Sequence, residues 1–173
     1  SNFQEGSIAL IFLRIDLLTY LPVKLTESLF PSQFLQIDLT GKPFLYEFGK
    51  NLGIAFQLQD DYLDAFGNPE TFGKQVGGDI IENKKTYLFL KALEFSSESD
   101  QHQLKQLFST EVNDSKDKVE IVKQIFSVSG ASEATKMAIT SYTKTAFEVL
   151  KTMNISEKKK QTLLDFGTQL MTR

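Results

Sequence analysis

Between Phe44 and Phe66 apolar side chains recur every three or four residues, at Leu45, Phe48, Leu52, Phe56, Leu63 and Phe66, and three aspartates are set among them. That spacing is the repeat of an α-helix buried along one side. A half-buried strand would instead alternate apolar and polar residues, and the chain has neither such runs nor the Asn-Gly or Asp-Gly turns that would join them. The same three- and four-residue spacing returns over most of the length, so the predicted fold class is all-α.

Further helices are expected over about 8–20, 79–95, 101–109, 116–127, 131–153 and 156–171. Pro22 ends the first, because proline cannot donate the helical hydrogen bond and also restricts the residue before it. The stretch from Val23 to Pro43, with Pro31, Pro43 and the Thr40-Gly41 pair, reads as a short helix and loops. Gly67-Asn68-Pro69 closes the long helix. Asp79, with Glu82 three residues on, reads as an acidic capping box opening the next one. Gly130 and Asn154 punctuate the last three helices, and Ser156 is placed as a cap. With no repeat and no low-complexity linker, residues 1–173 are read as a single helical domain.

Composition removes several functions. The 173 residues contain 22 acidic and 19 basic side chains, a formal charge of −3, so no nucleic-acid surface is expected. Cysteine is absent, which excludes disulfides, thiolate zinc sites and thiol nucleophiles, and suits a cytoplasmic protein. The apolar stretch 8–21 carries Arg14 and Asp16 and is shorter than the roughly 20 residues a spanning helix needs. It lacks the basic region and cleavage site of a secretory signal, so neither a membrane span nor export is expected.

On a helix each residue turns about 100°, which brings Gln57, Asp60, Asp61 and Asp64 into one sector, beyond Gly53 and Lys50. Carboxylates gathered on one stripe repel each other and resist desolvation, so the stripe faces either water or a cation. An ordinary solvated helix face is the alternative. Phe56, Leu58, Tyr62, Leu63 and Phe66 around the stripe favour a polar cleft instead. Hard oxygen ligands of this kind suit Mg2+, which keeps much of its water and is held by a few carboxylates together with substrate phosphates. An EF-hand is excluded because the acids are not at alternate positions.

The segment from Phe72 through Gly73-Lys74-Gln75-Val76-Gly77-Gly78-Asp79 to Glu82-Asn83-Lys84-Lys85-Thr86 then adds glycines and cations. Glycines let a backbone approach a ligand closely, and Lys74, Lys84 or Lys85 could neutralise phosphate oxygens. For any one lysine taken alone, an ordinary solvated surface is the favoured reading. A P-loop fits poorly, since five residues separate Gly67 from Gly73 and Gln75 stands where a Ser or Thr would bind metal.

Taken in order, Gly53-Ile54-Ala55-Phe56-Gln57-Leu58-Gln59-Asp60-Asp61-Tyr62-Leu63-Asp64, the Gly73-Lys74 pair and Gly78-Asp79 with Asn83-Lys84-Lys85-Thr86 closely resemble the second aspartate-rich region of the polyprenyl synthetase family. Val128-Ser129-Gly130-Ala131 and the stretch from Leu163 to Arg173 look like its final segments. The resemblance covers 44–173 and about the second half of a full-length enzyme, while 1–43 matches poorly. It implies an antiparallel helical bundle of the isoprenoid synthase type, usually a homodimer, whose two acidic motifs grip an allylic diphosphate through Mg2+. Loss of the diphosphate would give an allylic cation that isopentenyl diphosphate attacks, so the implied activity is prenyl transfer. By matching position, Asp60, Asp61 and Asp64 would bind metal or its waters, Gln57 would lie near the reacting end of the substrate, Lys74 and Lys84 would hold the diphosphate, and Asp79 would support their loop.

The family's first acidic motif and the upstream basic residues for isopentenyl diphosphate have no counterpart here. The first expected helix offers Leu18-Thr19 where a Lys-Thr pair would stand. The chain is therefore expected to be a cut or altered form that supplies one metal motif and is inactive alone. Two other classes remain open: a non-catalytic partner subunit of a prenyl synthase, and a helical interaction domain.

Overall fold

The computed structural model describes residues 42–68, 76–109 and 115–172. The expected helix over 8–20 and Lys74 lie outside the described residues. Helix α1 runs Lys42–Phe66, two residues earlier than the periodicity suggested. Pro43 sits in its first turn, where a missing N–H breaks no helical bond. After it come α2 (Gly78–Ile81), α3 (Tyr87–Phe95), α4 (Glu98–Leu107), α5 (Ser115–Val128), α6 (Ala131–Thr152) and α7 (Glu157–Met171). Among the described residues there is no strand, so the all-α reading holds.

The expected single helix from Asp79 to Phe95 is corrected to two. Helix α2 stops after one turn, Asn83 takes a left-handed backbone with φ of 57°, and α3 starts afresh from Thr86, whose hydroxyl accepts from Phe89 N. Asp79 is consequently not a cap but an interior residue of α2. Gly77 holds the cap position, with φ of 89° and no side chain to offer. Ser97 caps α4 by accepting from Asp100 N at 3.2 Å. Ser156 occupies the cap position of α7 as expected but makes no side-chain cap bond.

The chain divides into two compact units, each with its own core. One contains the start of α1 to Gln57 and the chain from Ile139 onward. There Phe48 and Leu52 of α1 pack with Ala146 and Leu150 of α6, Met153, and Leu163 of α7. Gly167 allows close approach: a Cβ there would lie 2.7 Å from the Phe147 ring.

The other unit, Leu58–Ala138, is built around α5, which packs against α2, α3 and α4. Its core joins Ala65, Ile80, Leu88, Phe89, Ala92, Leu104, Phe108, Val122, Ile125, Phe126 and Ala131. Each large side chain here contributes about 1.5–3 kcal/mol on leaving water, and the Phe89 and Phe108 rings meet at 4.3 Å between centroids. This unit also holds the acidic end of α1 and the glycine-rich segment.

Candidate functional site

The buried stripe of α1 passes through Phe48, Leu52, Ala55, Leu58, Asp61 and Ala65. Asp61 therefore points with the apolar side chains and is 8% exposed. Asp60 and Asp64 flank it and are half-buried, as is Gln57 one turn earlier, on the part of α1 that belongs to the other unit. Asp61 is thus withdrawn from open water, while Asp60 and Asp64 keep part of their surface exposed.

Asp64 gathers the segment that follows. Its backbone carbonyl accepts from Gly77 N at 2.6 Å, and its Oδ2 accepts from Asp79 N at 2.9 Å. Between those two bonds lies Gly78, where a Cβ would sit 3.2 Å from Asp64 Oδ1. The side-chain-free pair thus has a local cause. Gly77 supplies a left-handed turn, and Gly78 leaves room for a carboxylate against the backbone. The sequence led to glycines approached by a ligand; in the described structure what approaches them is Asp64.

From Asp79 the network runs on to Lys84. The Lys84 ammonium donates to Asp79 Oδ1 at 2.5 Å and pairs with Glu82 Oε2 at 2.7 Å, while Lys84 N donates to the Asp79 carbonyl at 2.9 Å. Hydrogen bonds to Asp79, and then to Glu82, raise the Lys84 pKa, so this group stays charged. An ammonium has three N–H donors, and two carboxylates take two of them. Lys85, by contrast, is exposed.

Burial, its largest influence, raises the Asp64 pKa, and the charges of Asp79 and Asp60 push the same way, against the Asp79 amide and Lys84. A carboxylate held in that condition is one whose charge a cation would relieve. The donors are hard oxygens, as Mg2+ prefers. Among the described residues no three His, Cys, Asp or Glu side chains converge into a cage. An Mg2+ ion held by one or two carboxylates, with a ligand's oxygens and water completing its shell, needs no such cage.

The structure therefore joins Asp64, Asp79 and Lys84 of the residues singled out from the sequence. Glu82 was read as half of a capping box and is instead the second partner of Lys84. Lys118 is a site residue outside that set, and its signal is its place four and seven residues before Val122 and Ile125, which sets a lysine on the apolar stripe of α5.

A sequence model of the polyprenyl synthetase family matches residues 18–125. The short chain isoprenyl diphosphate synthase of Methanothermobacter thermautotrophicus is 36% identical over 115 residues, which is 66% of this chain and 34% of that enzyme. The chain thus spans about a third of the length of this curated relative. A crystal structure of a geranylgeranyl pyrophosphate synthase superposes with a TM-score of 0.71 at 46% identity, over 79% of this chain and 43% of that one. The Corynebacterium glutamicum geranylgeranyl pyrophosphate synthase, crystallised with isoprenyl diphosphate and magnesium, gives 0.68 at 27% identity, over 76% and 37%.

Proposed function

Because this chain belongs to the polyprenyl synthetase family, we propose that it supplies the second aspartate motif of an isoprenyl diphosphate synthase and binds the diphosphate of an allylic substrate in company with Mg2+. The observation that carries this reading is the continuous link from Asp64 through Asp79 to Lys84. It sets carboxylates suited to a cation beside a permanently charged ammonium, which is the pairing a metal diphosphate requires.

In this reading Asp60, Asp61 and Asp64 hold the metal or its water. Magnesium, when bound, neutralises and polarises the diphosphate oxygens. Lys84 turns its remaining donor to a phosphate oxygen, and its partners Asp79 and Glu82 fix where that donor points. Lys74 and Gln57 are assigned on sequence position alone, the first to the diphosphate and the second to the reacting end of the substrate. As the substrate's carbon–oxygen bond breaks, negative charge grows on the departing diphosphate, and a fixed cation there stabilises that charge more than the starting ester. The double bond of isopentenyl diphosphate then attacks the allylic cation, the new cation loses a C–H proton to restore a double bond, and no protein nucleophile is needed.

The sequence carries one such acidic stripe, and the reading assigns the opposing acidic face to residues outside this chain. Turnover by the chain alone, with isopentenyl and allylic diphosphates and Mg2+, is accordingly expected to be absent. A homodimer is the assembly this reading brings with it, and sedimentation at micromolar concentration tests that point.

The direct test is calorimetric titration with inorganic diphosphate in excess Mg2+. Binding is expected, and Asp60→Ala is expected to weaken it by about tenfold or more, as loss of a metal ligand or of its immediate support commonly does. Binding that is absent, or indifferent to both Mg2+ and Asp60→Ala, would end the proposal. Tight association with a complete synthase in the absence of such binding would favour a partner subunit instead.

A further inference from the structure

Lys118, in the first turns of α5, is 3% exposed, and among the described residues it is the buried cation. Taking an ammonium out of water is costly, and apolar side chains of similar volume often replace buried charges with no loss of stability. A lysine at such a place therefore calls for a reason other than packing. Its Nζ donates to Asn83 Oδ1 at 2.5 Å, across 35 positions of sequence, and lies 5.5 Å from the centroid of the Phe108 ring. Asn83 is the left-handed residue that ends the α2 turn and immediately precedes Lys84. The next residue of α5, Val119, fills the space beside Gly77, where a Cβ would lie 2.7 Å from its Cγ1. Two successive residues of α5 thus seat the two left-handed residues on either side of α2, the turn that carries Asp79 and leads into Lys84.

We propose that Lys118 is a positioning residue of the diphosphate site, holding Asn83 so that the Lys84 ammonium is presented to a phosphate oxygen. This rests on the function proposed above. Lys118 itself touches no ligand in this scheme. It acts through the Asn83 amide and the backbone direction that the amide fixes. Asparagine suits the position because it tolerates a left-handed backbone while offering a carbonyl oxygen to an ammonium donor.

The test uses the full chain, Mg2+ in excess and inorganic diphosphate as the probe, with affinity from calorimetry and stability from thermal melting. Lys118→Met, which keeps an apolar stem of similar length, is expected to weaken diphosphate binding by about tenfold, the scale of one misdirected charge-assisted hydrogen bond. Its Tm should stay level or rise. Asn83→Gly keeps the left-handed turn and removes the acceptor, so it should reproduce the loss of affinity, and it carries the test if Lys118→Met does not fold. Because Lys118 acts through Lys84, Lys118→Met should change affinity less than about twofold in a Lys84→Ala background, the non-additivity expected of residues that work as one unit.

Wild-type binding with Lys118→Met and Asn83→Gly both unaffected would overturn the inference and leave the proposed function standing. An undiminished effect of Lys118→Met in the Lys84→Ala background would also overturn it, since Lys118 would then act by another route. A wild-type chain that binds no magnesium diphosphate would remove the proposed function itself, and this inference with it.

Discussion

Asp64 accepts the Asp79 amide on its carboxylate and the Gly77 amide on its carbonyl, while burial above all, with Asp79 and Asp60, raises its pKa. A carboxyl whose pKa is higher folded than unfolded contributes stability below the unfolded value, roughly 3.9 for aspartate. That contribution is lost as pH rises through the folded value. Above that folded value and without metal, the charge on Asp64 is therefore a net cost that the fold carries. Asp64→Asn keeps an oxygen for the Asp79 amide and removes the charge, so without Mg2+ at pH 7 its Tm is expected to equal or exceed that of the wild type. The advantage should shrink as the pH is lowered toward the unfolded pKa. The same variant should lose the response to Mg2+ with diphosphate. A Tm at pH 7 well below the wild type would mean that the carboxylate's hydrogen bond outweighs its desolvation.

The elements around Asp64 depend on two glycines of the left-handed class that differ in their surroundings. Gly77 has φ of 89° and would bring a Cβ against Val119, whereas Gly130, between α5 and α6 with φ of 83°, has nothing within 4 Å of that position. Gly130→Ala is expected to cost about 1 kcal/mol, the backbone strain of a side chain in the left-handed region. Gly77→Ala should cost about 2–4 kcal/mol, because a steric clash in a packed place adds to the same strain. Chemical denaturation of the two variants measures the difference directly. Equal losses would mean that α5 yields at Val119 and does not brace the α2 turn. The long helices themselves were legible: α1, α5, α6 and α7 fall within about two residues of the boundaries drawn from spacing, prolines and caps. The break between α2 and α3 was not. Asp79 and Glu82 do make a locally acceptable helix start. What competes with it is the reach of Lys84 back to both carboxylates, together with Thr86, which offers α3 its own cap.

For the molecule as a whole, a ligand that binds only the folded chain raises its stability by mass action, by about 2.7 kcal/mol when present at a hundred times its Kd. Mg2+ and diphosphate together should raise the Tm, either one alone should leave it nearly unchanged, and a chelator should return it to the starting value. No shift with both present would favour a helical interaction domain over a diphosphate site. No helix among the described residues is long and apolar enough to cross a membrane. The amino-acid sequence by itself determined the helical class, the stripe that places Asp60, Asp61 and Asp64 on one side of α1, and the lysine and glycines that follow. Those features are written in spacings of three and four residues, over which a helix is a local object. Tertiary structure alone decided that Asp61 joins the buried stripe, that Asp64 receives the Asp79 amide, and that Lys118 finds Asn83. Such partners are brought together by the packing of α5 on the α2 turn and by the hydrogen bonds of Gly77 and Asp79 to Asp64. No periodicity along the sequence records which distant residue will arrive to complete a buried hydrogen bond.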